Sequence, residues 1–130
     1  MENKQLFLTG TFDVIHKGHI ALLEHAKSYG GTLTVAIDTD RRVAEKKGLD
    51  RPFHNENDRK YVISSIKHVD NVVLFNSDEQ LINIVKNLNP DIWFAGSDWW
   101  GKEFPGKEYA KTVKYFERIE PYSTTRILER

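Results

Sequence analysis

Residues 6–26 read LFLTGTFDVIHKGHIALLEHA, and the change of pattern inside this stretch decides the fold. A short apolar run ends just before Gly10 and is typical of a buried strand. After residue 19 apolar side chains return at the helical period, and three of them share one face: Ile20, Leu23 and Ala26. The loop at residues 10–19 therefore follows a strand and precedes a helix, which is where α/β proteins place ligand-binding groups.

The alternation of strand and helix continues along the rest of the chain. Further strands are predicted at residues 33–37, 72–75, 92–95 and 112–116. Helices are predicted from Asp58, from Ser77 and, as a short last element, from Ser123 to Leu128. Strands joined by helices indicate a parallel sheet covered on both faces. We expect a three-layer α/β fold, a doubly wound sheet of five parallel strands, in a single domain spanning residues 1–130.

Composition argues against several classes of function. The chain has 19 Lys and Arg residues against 19 Asp and Glu residues, and no cysteine. The balanced charge argues against a general nucleic-acid-binding surface, and the lack of cysteine excludes disulfides, thiolate zinc sites and cysteine nucleophiles. No stretch approaches the roughly 18 apolar residues of a membrane span. We therefore expect a cytoplasmic protein without membrane or nucleic-acid partners.

The loop at residues 10–19 has the composition of an anion site. His16 and His19 lie at the predicted helix N-terminus, where unpaired N–H groups and the helix dipole favour a phosphate. Gly10 allows a sharp turn, and Gly18 leaves room for a phosphate oxygen near the backbone. Two imidazoles there can donate hydrogen bonds to the charge that develops during in-line phosphoryl displacement. The other interpretations are a metal centre, for which the motif lacks further ligands, and structural histidines.

The stretch GTFDVIHKGHIALLEHAK, residues 10–27, closely resembles the motif of the HxGH nucleotidyltransferase superfamily, and the resemblance spans nearly the whole chain. Within that superfamily it is most similar to the cytidylyltransferases, above all the small bacterial glycerol-3-phosphate cytidylyltransferases. The resemblance implies a Rossmann-like nucleotidyltransferase fold and a homodimer. It also implies that His16 and His19 stabilise the transition state at the α-phosphate, with Mg²⁺ carried by the nucleoside triphosphate. Further residues of the motif are implied to bind the nucleotide (Gly10, Thr11, Phe12 and Gly18) or the substrate (Asp13).

Residues 39–57 are polar and charged without a helical period, and we predict a long loop there. Positive charge is concentrated in it, with Lys46 and Lys47 near its centre. Such a loop either closes over a triphosphate or is an ordinary solvated segment. The resemblance favours the first interpretation, with Lys46 as a catalytic phosphate ligand. The stretch KGLDRP, residues 47–52, is similar to the KGxxRP stretch of heptose-phosphate adenylyltransferases of the same superfamily, so the sequence leaves the nucleotide base open.

Carboxylates follow two of the predicted strands. Asp38 comes at the end of the second strand and can meet substrate hydroxyls or a hydrated magnesium ion, or simply cap the loop. Asp98 lies in GSDWWGK, residues 96–102, which looks like the GDDWxGK segment of the glycerol-3-phosphate enzymes. This resemblance implies that Asp98 contacts the nucleotide. Trp99 and Trp100 beside it indicate either a site or interface, or one core and one surface residue.

Near the C-terminus, residues 118–125 read RIEPYSTT and resemble the RTEGISTT segment of the cytidylyltransferases. The resemblance implies that Arg118 binds the phosphates as a catalytic residue. It also implies nucleotide binding by three hydroxyl residues: Ser123, Thr124 and Thr125. From the residues alone, a serine N-cap is the simpler interpretation. Lys67 stands where the related enzymes often carry arginine, and we expect it to bind the substrate.

These residues lead to one hypothesis and two rivals. We predict an enzyme that transfers CMP from CTP to a small phosphorylated alcohol or sugar, glycerol 3-phosphate first, and releases pyrophosphate. Its nearest rival is an ATP-dependent adenylyltransferase acting on a sugar phosphate. A rival of another class is a non-catalytic nucleotide-binding module. No metal site made of protein ligands alone is expected.

Overall fold

The computed structural model describes residues 3–48, 52–119 and 124–128, with the backbone alone for residues 118–119 and 124–128. Within these residues the chain forms six strands and four α-helices. In chain order they are β1 (Lys4–Gly10), α1 (Lys17–Lys27), β2 (Gly31–Asp38), α2 (Asp40–Lys47), α3 (Glu56–Ser64), β3 (Asn71–Phe75), α4 (Asp78–Leu88), β4 (Ile92–Gly96), β5 (Thr112–Ile119) and β6 (Thr124–Leu128). None of the helices in this part of the chain is both long and apolar enough to cross a membrane.

The six strands form one sheet in the order β3-β2-β1-β4-β5-β6. β1 to β5 are mutually parallel, and β6 runs antiparallel to β5. Strand order reverses between β1 and β4, and in a doubly wound fold ligands bind at the carboxyl ends of the strands at this point. The predicted α/β fold with five parallel strands is confirmed, and β6 adds an antiparallel edge.

Helices cover both faces of the sheet, and successive strand residues alternate between two cores. Leu6 and Leu8 of β1 pack with α1 and α3 on one face, whereas Phe7 packs with α4 on the other. β2 is buried from Leu33 to Asp38 because both of its faces are covered. This packing, which removes apolar surface from water at roughly 25 cal/mol per Å², fixes the strand ends and the loops that follow them at one edge.

The prediction of one long loop at residues 39–57 is wrong. α2 and the first two residues of α3 lie within it. Both helices begin at a capping side chain, Thr39 for α2 and Asn55 for α3, which accepts a hydrogen bond from the first turn. α2 buries only Val43, so its sequence has no apolar stripe from which a helix is predicted.

The prediction of a C-terminal helix ending at Leu128 is also wrong. Residues 124–128 form β6, whose pairing with β5 runs from Thr124 opposite Ile119 to Leu128 opposite Tyr115. Threonine and isoleucine fit a strand better than a helix, and β5 offers an edge with which they pair. The expected cap of that helix, Ser123, lies outside the described residues.

Candidate active site

Two cavities adjoin at the carboxyl edge of the sheet, at the ends of β1 and β4. The larger has a volume of about 640 Å³ and the smaller about 280 Å³. Both are lined by the end of β1, Thr9 to Thr11, and by Lys47 of α2. Because these walls are shared, molecules bound in the two cavities would meet beside the end of β1.

The smaller cavity is lined by the two histidines of the first loop. His16 is the N-cap of α1, and its Nδ1 accepts a hydrogen bond from the Gly18 N–H at 3.0 Å. Nδ1 of His19 accepts one from the His16 N–H at 3.1 Å, and the two ring centroids are 4.0 Å apart. Because Nδ1 of each ring is an acceptor, the neutral imidazoles hold their proton on Nε2. The first turn of α1 thus fixes both ring position and tautomer.

Phe12 packs against His19 and helps to hold its ring. Phe12 is 5% exposed, and its ring centroid is 5.3 Å from that of His19. Its φ of 49° is a left-handed conformation that is uncommon for a bulky residue. A Cβ at Gly10 would lie 2.6 Å from the Phe12 ring, so only glycine leaves room for this arrangement. Gly10, Thr11 and Phe12, which were predicted to line the nucleotide site, all line the smaller cavity.

Asp13, which was predicted to bind substrate, is engaged with the backbone. Its carboxylate accepts hydrogen bonds from the N–H groups of Phe53, at 2.7 Å, and His54, at 2.8 Å. Burial raises the pKa of Asp13, but the bonds from His54 and Phe53 outweigh it and bring the pKa below the ordinary 3.8. Asp13 therefore joins the first loop to the segment before α3, and a contact to substrate stays a prediction.

Arg59 of α3 is a site residue that no sequence motif indicated. It is 1% exposed, and its Nη1 donates to the backbone oxygens of Thr11, at 3.0 Å, and Asp38, at 2.8 Å. Nε donates to the His54 oxygen at 3.0 Å, and Nη2 pairs with the Asp40 carboxylate at 2.9 Å. The guanidinium thus fixes the first loop against the end of β2 and the start of α2.

The larger cavity is lined by residues of both charges. Its cations come from α2: Arg42, Lys46 and Lys47. Its carboxylates come from three separate segments: Asp38, Asp78 and Asp98. Lys46, the predicted phosphate ligand, lines only the larger of the two cavities, whereas Lys47 lines both. Lys47 is therefore the better placed of the two to reach a phosphate bound beside the histidines.

Asp38 is a shielded carboxylate in the wall of the larger cavity. It is 8% exposed, and its Oδ2 lies 3.6 Å from Nε of Arg42. Burial raises the pKa of Asp38 above the ordinary 3.8, and the nearby charges of Lys46 and Arg42 lower it by less. A carboxylate in this setting gains by accepting a hydrogen bond from a ligand hydroxyl, in agreement with the predicted substrate contact.

The loop after β4 contributes Asp98 and Trp99 to the larger cavity. A Cβ at Gly96 would lie 2.7 Å from Oδ1 of Asp98, so the glycine lets this carboxylate lie against the backbone. Trp99 is 44% exposed, whereas Trp100 packs edge to face on Tyr115, with centroids 4.8 Å apart. The two tryptophans thus divide between cavity and core, and the contact of Asp98 to the nucleotide stays a prediction.

The C-terminal motif is only partly within the described residues. In the backbone, Arg118 is paired with Thr125 and Ile119 with Thr124, so the start of β6 lies at the carboxyl edge of the sheet. Ser123 and the side chains of Arg118, Thr124 and Thr125 lie outside what the structure describes. Their contacts to the phosphates stay predictions.

Lys67 lies away from both cavities. It is exposed in the turn between α3 and β3, at the edge of the sheet where the parallel strands begin. A single chain therefore does not bring Lys67 to the predicted substrate site.

Mg²⁺ was predicted to arrive with the nucleotide, without a site made of protein ligands alone. Across the described ranges, no three His, Cys, Asp or Glu side chains are grouped to hold a metal ion. Mg²⁺ is commonly bound by substrate phosphates and water with one or two carboxylates. The carboxylates that line the two cavities are Asp13, Asp38, Asp78 and Asp98, and a contact from any of them to Mg²⁺ stays a prediction.

Known proteins are similar in sequence to this chain. A family model described as cytidylyltransferase-like matches residues 7–130. The chain belongs to the cytidylyltransferase-like family. The resemblance to the HxGH nucleotidyltransferase superfamily is thereby confirmed, and this cytidylyltransferase-like protein is a nucleotidyltransferase enzyme.

Curated relatives of this cytidylyltransferase-like chain are longer than it is. The bifunctional protein HldE of Campylobacter fetus subsp. fetus (strain 82-40) is 39% identical over 125 residues, which are 96% of this chain and 27% of that protein. The bifunctional protein HldE of Helicobacter pylori (strain Shi470) is 40% identical over 129 residues, 99% of this chain and 28% of that protein. The chain thus spans about a quarter of the length of these relatives.

Solved structures share the fold. The lipopolysaccharide core biosynthesis protein from Thermoplasma volcanium GSS1 superposes with a TM-score of 0.65 at 28% identity, covering 85% of this chain and 93% of that one. A pantothenate synthetase from Thermus thermophilus superposes with a TM-score of 0.61 over 90% of this chain and 56% of that one. Its identity is 12%, so it supports the cytidylyltransferase-like fold alone.

Proposed function

We propose that this enzyme transfers AMP from ATP to the phosphate of a sugar phosphate and releases pyrophosphate. One observation carries the proposal: a cavity lined by two histidines adjoins a larger cavity lined by carboxylates, lysines and an arginine. The first suits the phosphates of a nucleotide, and the second suits an oxygen-rich phosphorylated acceptor.

The preference for ATP and a sugar over CTP and glycerol 3-phosphate rests on similarity. The KGLDRP stretch resembles that of heptose-phosphate adenylyltransferases. Nearly the whole chain is about 40% identical to HldE proteins, and the fold is close to that of a lipopolysaccharide core biosynthesis protein. These similarities change the order of the two candidates that the sequence left open.

The reaction is a direct displacement. An oxygen of the acceptor phosphate forms a bond to the α-phosphorus, the bond from that phosphorus to the bridging oxygen breaks, and pyrophosphate leaves with the electron pair. The Nε2–H groups of His16 and His19 donate to the α-phosphate oxygens, whose charge grows in the transition state. Lys47, at the junction of the cavities, attracts the phosphates of both reactants, and Lys46 attracts the acceptor. Bound with the triphosphate, Mg²⁺ supplies further charge neutralisation.

The test is pyrophosphate release by purified protein with Mg²⁺. ATP, CTP, GTP and UTP are crossed with a heptose 1-phosphate, D-mannose 1-phosphate and glycerol 3-phosphate. We expect the largest kcat/KM with ATP and a sugar 1-phosphate. His19→Ala should remove the activity, while His25→Ala should retain it, because His25 is exposed on the same helix and lines neither cavity.

CTP with glycerol 3-phosphate is the second candidate, and the GTFD and STT motifs favour it. A higher kcat/KM with that pair than with ATP and any sugar phosphate would replace the first proposal by the second. Nucleotide binding without pyrophosphate release from any pair would instead support a binding module. A homodimer, which the resemblance implies, and a cytoplasmic location, which the composition favours, are proposed alongside, and sedimentation equilibrium tests the oligomeric state.

A further inference from the structure

Arg42 lies between two carboxylates in the part of the larger cavity formed by α2, the start of α4 and the ends of β2 and β3. Its Nη2 donates to Oδ1 of Asp78 at 2.6 Å, its Nε is 3.6 Å from Oδ2 of Asp38, and Cζ is 5.1 Å from the centroid of the Phe75 ring. Phe75 ends β3, two strands away from β1. All four residues line the larger cavity and none lines the smaller one.

The hydrogen-bonding groups of this cluster are incompletely used. Nε of Arg42 is buried without a hydrogen-bond partner among the residues that the structure describes, because 3.6 Å to Asp38 is too long for a hydrogen bond. Buried polar groups in folded proteins nearly always have a partner, so such a group beside a cavity points to a ligand atom. The guanidinium is held by its bond to Asp78 and lies over the Phe75 ring.

The charge of the cluster selects the kind of ligand. The side chains of Arg42 and Asp38 are 12% and 11% exposed, so both charges are largely shielded from water. Asp38 and Asp78 carry two negative charges against the single positive charge of the guanidinium, so a further anionic group placed there would be repelled. A hydroxyl has no such conflict, because its oxygen accepts from the guanidinium while its proton is donated to Asp38.

The position of the cluster fits the far end of an acceptor. The reacting phosphate of the acceptor must lie near Lys47 and the end of β1, where the two cavities meet. The carbon skeleton then extends into the larger cavity, toward the ring of Phe75. A cavity of about 640 Å³ is in the range that holds ligands well above the size of glycerol 3-phosphate.

We infer that Arg42, Asp38 and Asp78 form a hydroxyl-binding subsite that selects a polyhydroxylated phosphate monoester over one that carries a second anionic group. Asp38 and Arg42 contact the hydroxyl, and Asp78 positions Arg42. The inference rests on the proposed function for the orientation of the acceptor, but the subsite can be tested by binding alone.

The experiment measures equilibrium binding by calorimetry to the wild type, Arg42→Met and Arg41→Met. The probes are a heptose 1-phosphate, D-mannose 1-phosphate, glycerol 3-phosphate and 3-phosphoglycerate. Methionine keeps the packing on Phe75 and removes the donors. Arg41 is the matched control: it is the neighbouring arginine of α2, its side chain is 64% exposed, and it lines neither cavity.

We expect the wild type to bind a sugar 1-phosphate more tightly than 3-phosphoglycerate. Arg42→Met should weaken the sugar phosphate about tenfold, the effect of one good hydrogen bond, and change glycerol 3-phosphate less than twofold. Arg41→Met should change neither. Asp78→Asn should shift the affinities in the same direction as Arg42→Met by a smaller factor, and melting curves of every variant check the fold.

Several results would overturn the subsite. They are equal weakening of all probes by Arg42→Met, unchanged affinities, tighter binding of 3-phosphoglycerate than of the sugar phosphates, or no binding of any sugar phosphate. The proposed function fails separately: the expected binding pattern without pyrophosphate release from any nucleotide would leave the subsite and remove the transfer reaction. If pyrophosphate is released but Arg42→Met does not alter the acceptor preferences, the transfer reaction would stand and the subsite would be rejected.

Discussion

The backbone N–H of His16 donates a hydrogen bond to Nδ1 of His19 at 3.1 Å, so the second histidine of the motif caps the helix that begins at the first. Each ring therefore has two separable tasks. Nδ1 holds the start of α1 together, and Nε2–H is the donor that the proposed mechanism directs to the phosphate oxygens. Replacing His19 by amide residues of two lengths separates stability from catalysis.

His19→Asn tests the second task. The asparagine amide oxygen can take the place of Nδ1 and keep the bond from His16, but no donor reaches the position of Nε2. We expect a melting temperature close to that of the wild type and a kcat for pyrophosphate release lowered by about 100- to 1000-fold.

His19→Gln is the companion variant, because its longer amide places a nitrogen toward the Nε2 position while its oxygen can still accept the bond from the His16 N–H, as glutamine does in a capping box. It should retain more activity than His19→Asn, with an unfolding free energy in urea denaturation within about 1 kcal/mol of the wild type. A wild-type kcat in His19→Asn would show that Nε2 of this histidine takes no part in the transition state.

Arg59→Met should destabilise the protein by about 3–5 kcal/mol in urea denaturation. The substitution leaves the backbone oxygens of Thr11, Asp38 and His54 without their buried donor. Because Thr11 lines both cavities, kcat should also fall. Arg41→Met removes an exposed arginine from the neighbouring helix and should cost less than about 0.5 kcal/mol. Comparable losses in the two variants would contradict the role given to burial.

The five parallel strands and the first loop could be predicted because their signals are local. β2 is apolar from Leu33 to Ile37, and the loop at residues 10–19 carries its histidines and glycines within ten residues. α2 could not be predicted, since it buries Val43 alone and is held in place by Thr39 and by contacts with distant residues. β6 was missed because strand pairing with β5 decides its conformation.

The motif of the candidate site could be predicted from the sequence, but the residues that hold the first loop in place could not. Nothing in the sequence distinguishes Arg59 from Lys60 beside it, yet Arg59 is buried and Lys60 is exposed. Its partners are 5 to 48 positions away along the chain. The same holds for Asp13, whose partners in the segment before α3 are 40 and 41 positions away. Such roles emerge only when separate elements meet in the fold.

Asp38→Asn should leave the protein at least as stable as the wild type at neutral pH. The folded-state pKa of Asp38 is raised by burial, so the ionised carboxylate is less favourable in the folded than in the unfolded chain. The contribution of this group to stability is therefore greatest below the ordinary pKa of 3.8 and falls as pH rises through the raised pKa. Because asparagine does not ionise, the Asp38→Asn variant lacks this loss of stability with rising pH.

The measurement is urea denaturation of Asp38→Asn and the wild type across the acid to neutral range. The difference in unfolding free energy should move in favour of the variant as pH rises, while the affinity for the acceptor falls. If the variant instead loses stability relative to the wild type as pH rises to neutral, the attraction of Lys46 and Arg42 for the Asp38 carboxylate outweighs the effect of burial.

Gly96→Ala should impair the site with little loss of stability. The new Cβ would lie 2.7 Å from Oδ1 of Asp98, and the flexible end of that side chain can move aside. Asp98 lines the larger cavity, which is proposed to hold the acceptor, so the KM for the acceptor should rise several-fold in Gly96→Ala and in Asp98→Ala. A rise in the KM for the nucleotide instead would support the contact that the resemblance implies for Asp98. Because both changes act through one carboxylate, the double variant should be no worse than Asp98→Ala.

Gly101→Ala is the control in the same loop: its φ of 73° makes alanine cost roughly 1 kcal/mol of stability, but no side chain lies within 4 Å to be displaced. Additive effects on KM in the double variant would mean that Gly96 acts through the backbone and not through Asp98.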